Sequence, residues 1–103
     1  MSRVLVEAEG GSVRVSEAAL TDIVRRAVSS VDGARLRKGR RRLGVELENG
    51  HARAELQLSV VYGLVLPEVS SAVQERVADA LARMCDVEVD SVDVTVEELD
   101  RAR

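Results

Sequence analysis

From Leu43 to Val60 the chain alternates apolar and polar residues, and Asn49-Gly50 folds that alternation in its middle. Leu43, Val45 and Leu47 alternate with Gly44, Glu46 and Glu48; after the dipeptide, Ala52, Ala54, Leu56, Leu58 and Val60 alternate with Arg53, Glu55, Gln57 and Ser59. A period of two belongs to an extended strand. Asn-Gly is the strongest short hairpin signal, because both central residues of a type I′ turn need positive φ. The segment therefore predicts an antiparallel hairpin with one face in the core and the other in water. Something else in the chain must cover the apolar face.

Two helices are available for that. Ser16 suits an N-cap, its hydroxyl accepting an otherwise orphaned amide, and Glu17 places a carboxylate at the positive end of the helix dipole. Leu20, Ile23, Val24, Ala27, Val28 and Val31 then recur at helical spacing, and Asp32-Gly33 closes the helix with a glycine fit for the left-handed C′ position. The second helix is announced by Tyr62-Gly63, a hinge, and by Pro67, which suits a first-turn position where a missing amide hydrogen costs nothing. Val69, Val73, Val77, Ala80, Leu81 and Met84 line one side of it.

Strands fill the remainder. Residues 3–8 have strand chemistry, and Gly10-Gly11 turns the chain before Val13-Arg14-Val15. Ala34, Leu36 and Lys38 alternate with Arg35 and Arg37, and residues 39–42 form a basic turn into Leu43, making one three-strand meander. Val87 and Val89 alternate with acids, but Val92, Val94 and Val96 continue out of phase, so a bulge is expected near Asp90-Ser91. The expected fold is α+β: two helices packed on one face of a mostly antiparallel sheet, in the order β-α-β-β-β-α-β. With 103 residues, of which 46% are hydrophobic, the chain suffices for a single domain, 1–103, with one aliphatic core.

Little in the chain can do covalent chemistry. His51 is the sole histidine and sits beside the hairpin turn, where an exposed side chain is expected. Cys85 is the sole cysteine; at a helix C-terminus it lacks the positive dipole end that favours a thiolate, and it reads as a small buried apolar residue. It cannot form an internal disulfide, which suits a reducing compartment. One cysteine and one histidine fall short of a structural zinc site of the usual four ligands. Residues 39–44 lack the lysine and hydroxyl of a phosphate-binding loop. No catalytic, cofactor-binding or metal-binding residue is expected. No secretion signal or spanning segment is visible, so a cytoplasmic location is the default expectation.

Charge is the feature that fold does not absorb. Arg35, Arg37, Lys38, Arg40, Arg41 and Arg42 put six cations in eight residues, although the whole chain carries a formal net charge of -3. Asp86, Glu88, Asp90, Asp93, Glu97, Glu98 and Asp100 put seven acids in fifteen. Opposite patches on one small domain favour steered association with a second copy, the basic hairpin of one subunit meeting the acidic strand of the next, as rings or open filaments. The basic run also admits nucleic acid, but the chain has no aromatic platform beside it and no Gly-x-x-Gly loop.

The order of several short pieces resembles the alkaline shock protein family of bacterial stress and cell-envelope proteins. They are Val13-Arg14-Val15-Ser16, Val31-Asp32-Gly33-Ala34, Val61-Tyr62-Gly63 with Pro67 and Val69, Val73-Gln74 with Val77, and Val92-Asp93-Val94-Thr95-Val96. The resemblance runs over roughly residues 12–98. Two positions depart from it: Asp86 stands near a usual glycine, and Asp93 where asparagine is common. The resemblance implies a noncatalytic cytoplasmic protein that self-associates and is held near the envelope by a membrane-protein partner, with no catalytic residues to carry over. Tyr62, Gly63 and Pro67 are then structural, with the tyrosine capping the core. The function expected is a stress-response scaffold or adaptor; the alternative is a nucleic-acid-binding accessory protein using residues 35–42. A regulator docking on a metabolic enzyme fits the same surface.

Overall fold

A computed structural model describes residues 3–8, 10–39 and 42–101, the first of these segments as backbone. The elements are β1 (Arg3–Ala8), β2 (Gly11–Ser16), α1 (Glu17–Ser29), β3 (Ala34–Leu36), β4 (Leu43–Glu48), β5 (His51–Val61), α2 (Leu66–Cys85) and β6 (Glu88–Asp100). From β2 onward this is the order read from the sequence. Its leading strand is doubled: β1 pairs antiparallel with β2 as a two-stranded hairpin apart from the main sheet.

The main sheet is built on β5. The Asn49-Gly50 turn has φ of 52° and 78°, as a type I′ turn requires, and β4 returns antiparallel to β5 with Leu47 opposite Ala52 and Leu43 opposite Leu56. Ala52, Ala54, Leu56, Leu58 and Val60 are buried, so the alternation has the expected phase.

The meander is corrected. β3 does not pair with β4; it pairs antiparallel with the far end of β5, on the same edge that β4 uses, with Ala34 opposite Val60 and Leu36 opposite Leu58. Between them Gln57 holds both ends of the excursion: its carbonyl accepts from the Arg37 amide and its own amide donates to the Arg42 carbonyl, each at 2.9 Å. β3 and β4 are thus two stretches of one edge, and the basic segment leaves that edge at Arg37 and rejoins it at Arg42 instead of forming the tip of a β3–β4 hairpin. The excursion is set against Gln57 alone, so it costs no ladder bonds on the β5 side.

β6 runs parallel to β5 along its other edge, which alternation alone does not reveal. A parallel neighbour needs a crossover rather than a tight turn, and α2 is that crossover. The expected bulge is present: Ala52 faces Val89 but Arg53 faces Ser91, leaving Asp90 as the extra residue. A second slip leaves Glu97 extra between Val96 and Glu98.

Both helices lie on one face of the sheet, α1 toward β3, α2 toward β6, and against each other. Ser16 caps α1 as expected, its hydroxyl accepting from the Ala19 amide at 3.1 Å. The helix ends earlier than Asp32-Gly33, because the Ser30 hydroxyl and amide both turn back to the Ala27 carbonyl and close the last turn at Ser29. Gly33 acts one step later, at φ 84°, where a side chain would collide with Leu64. In α2, Val69, Val73, Val77, Leu81 and Cys85 form the buried stripe, while Met84 is 69% exposed and lies off it. Each buried Val or Leu contributes roughly 1.5–3 kcal/mol. Cross-ties fix the layers: the Gln74 amide donates to the Val92 carbonyl and Arg76 to the Ser30 hydroxyl, each at 2.9 Å.

Candidate interaction surface

The face of the sheet away from the helices is where the charged residues collect. Period two puts Arg35, Glu46, Glu48, His51, Arg53, Glu55 and Asp93 on that side, opposite the buried Ala, Val and Leu positions of the same strands. Both outer edges of the sheet, β3–β4 on one side and β6 on the other, pair with no strand among the described residues.

Part of the basic run and part of the acidic run meet here within one chain. Arg35 reaches across β5 to Asp100 at 3.0 Å, and Arg37 lies 3.8 Å from Glu97 and 3.5 Å from Glu98. Beneath them Ser59 donates to Glu98 at 2.7 Å and is only 3% exposed, so the wet face expected at this position is dry. The strand slip at Glu97 explains the arrangement, since it brings Glu98 directly opposite Ser59. Each such partly exposed pair contributes at most about 1 kcal/mol. Their larger consequence is to consume charge that would otherwise face outward.

What remains outward is narrower than the sequence suggests. Lys38 is exposed and makes no ion pair among the described residues, and Arg42 donates to the Gly39 carbonyl. Arg40 and Arg41 lie outside the described residues. On β6, Asp93 makes no ion pair among the described residues.

His51 is exposed as expected but not isolated. Its Nδ1 lies 2.9 Å from Asp90 Oδ1 and 3.5 Å from Glu88 Oε2. The Asp90 hydrogen bond, then the Asp90 and Glu88 charges, hold the imidazole pKa above its ordinary value. Only β6 pairing parallel to β5 assembles this trio, which sequence spacing could not show. Cys85 is buried as expected, and burial pushes its thiol pKa up, away from a reactive thiolate.

Tyr62 corrects an expectation. It is 57% exposed, so it does not cap the core; its ring faces the Arg101 guanidinium at 4.7 Å, and its amide donates to the Asp100 carbonyl at 2.8 Å. Its structural part is played by the backbone, which ties the exit of β5 to the end of β6. Gly63 has φ 104°, a conformation that side chains resist. Pro67 lies in the first turn of α2, where no amide is needed.

The architecture is an α+β domain with two helices on one face of a sheet, and solved structures share it. A histidine-to-alanine variant of the MamM-CTD matches at 16% identity and TM-score 0.54, covering 82% of this chain and all (100%) of that one. A cadmium form of an aspartate-to-glutamate MamM CTD variant matches at 18% identity and TM-score 0.54, over 82% of this chain and 100% of that one. A nickel form of an aspartate-to-asparagine variant matches at 17% and 0.53, over 81% and 99%. At these identities the likeness is one of fold.

Family membership comes from sequence. The model of the alkaline shock protein 23 family, described as having a cell envelope-related function, matches residues 6–101, and the chain belongs to that family. No curated protein matches the chain.

Proposed function

We propose that the protein is a noncatalytic scaffold or adaptor at the cell envelope, working through self-association and through protein partners. One observation supports this reading: among the described residues a single sheet leaves two edges unpaired, one carrying Arg37, Lys38 and Arg42 between β3 and β4 and the other being the acidic strand β6. Unpaired edges offer rows of backbone donors and acceptors to another chain, and opposite charge selects one edge to meet the other rather than its own copy. Such contacts are heterologous and propagate. The family's envelope-related function supports the location. Among the described residues no helix is long and apolar enough to cross a membrane; in this reading a membrane-protein partner holds the chain at the envelope.

The ion pairs of Arg35 and Arg37 weigh against the nucleic-acid reading, because they leave fewer outward cations beside a strand of acids. Replacing Arg40, Arg41 and Arg42 with glutamate tests both. Self-association lost in the variant and restored by mixing it with a β6 charge-reversal variant supports the scaffold. Wild-type binding to single-stranded RNA or DNA that the same replacements abolish supports the alternative.

A further inference from the structure

One side-chain cluster at the start of the acidic strand has chemistry beyond charge alone: His51 at the start of β5, with Glu88 and Asp90 on β6. One ligand atom from each lies within 4.8 Å of the others. The backbone beneath is fixed on three strands. The Asn49-Gly50 turn sets His51 opposite Glu48 on β4, and the Glu88 amide donates to the Gly50 carbonyl at 2.8 Å. On the other side His51 is opposite Glu88, and the bulge makes Asp90 an extra residue on the same face. Glu46, Leu47, Glu48, His51, Arg53 and Asp90 line one shallow depression there.

We propose that His51, Glu88 and Asp90, with Glu48 completing the set, bind a divalent transition-metal ion of the zinc type. The donors suit it: one imidazole nitrogen among carboxylate oxygens favours a borderline ion over Mg2+ or Ca2+, which prefer oxygen alone. Spacing suits it as well. Ligand atoms bound at about 2.1 Å in a tetrahedron stand roughly 3.4 Å apart. The 3.5 Å from His51 to Glu88 already meets that, and the 2.9 Å to Asp90 needs only a small rotation of an exposed carboxylate. The Glu88 and Asp90 carboxylates beside the His51 nitrogen carry two negative charges, which a proton on His51 offsets by one and a divalent cation by two. The ion would clamp β4, β5 and β6 together at the end of the sheet remote from the Ser59–Glu98 contact.

Calorimetric titration of the full chain with Zn2+ at pH 7.5 tests this, read beside amide and imidazole nitrogen NMR shifts. The expected result is one saturable equivalent, with shifts centred on His51, Ala52, Glu88 and Asp90. His51→Ala should weaken it at least tenfold, Glu88→Gln and Asp90→Asn should weaken it too, and Asp79→Asn on α2 should leave it unchanged. A tenfold excess of Mg2+ should not displace it. Absence of saturable binding at millimolar Zn2+ overturns the proposal, as does binding that His51→Ala leaves intact or that Mg2+ displaces.

Discussion

Leu81→Ala and Met84→Ala together test how α2 is seated. Both residues fall on one helical stripe when the sequence is read by period, yet Leu81 is fully buried, at 0% exposure, and Met84 is 69% exposed. Leu81 packs within the cluster formed by both helices and the inner face of β5. Truncating a buried leucine removes its transfer free energy and leaves a cavity, at a cost of about 2–5 kcal/mol. Truncating an exposed methionine falls within about 0.5 kcal/mol. Against a total near 5–15 kcal/mol for a domain of this kind, the first change removes a large share and the second almost none. Urea unfolding followed by circular dichroism measures both. The urea midpoint for Leu81→Ala should fall sharply at unchanged slope, and in a thermal melt of the same variants each kcal/mol should appear as a shift of about 4–8 °C. Equal losses at the two positions would mean that α2 is rotated about its axis from the seating described, and would refute the packing account.

Three further outcomes follow from local geometry. Asp86, the C-cap of α2, has left-handed φ 54° and ψ 49°, so Asp86→Gly should relieve strain and raise stability by up to about 1 kcal/mol, measured by the same unfolding curves; a loss of stability would contradict it. Ser16→Ala should cost about 1 kcal/mol through loss of the bond to the Ala19 amide, and restoration by Ser16→Asp checks that the cap is responsible. For His51 the folded pKa is raised, chiefly by Asp90, so its charged form contributes stability below the unfolded value near 6.5, and that contribution is lost as pH rises through the raised folded value; NMR titration of the imidazole should show the raised midpoint, and Asp90→Asn should bring it back toward the ordinary one.

The parts of this fold legible in sequence are those whose signals are local. Asn49-Gly50, the Ser16 cap, the valine stripe of α2 and the phase change at Asp90 each act within a few residues, and each is present in the structure. Direction and edge are not local. Val92, Val94 and Val96 alternate in the same way whether β6 runs with or against β5, and only the α2 crossover decides it. β3 and β4 are both antiparallel partners of β5, so the basic segment between them reads as a turn until their shared edge is seen. Tyr62 and Met84 are apolar enough to be assigned to the core by type; their exposure is settled by where the chain enters and leaves α2. The surface follows the same rule: the charge runs are visible in sequence, but Arg35 with Asp100 and Arg37 with Glu97 and Glu98 are brought together only by long-range register.

Association of oppositely charged sheet edges is salt-dependent, and sedimentation velocity across ionic strength reads it. The Debye length falls from about 30 Å at 0.01 M ionic strength to about 3 Å at 1 M, so a contact steered by the basic loop and β6 should weaken over that range. Species larger than the monomer are expected at low salt and high protein concentration, shrinking toward monomer as salt rises. A monomer at every salt and protein concentration would contradict it.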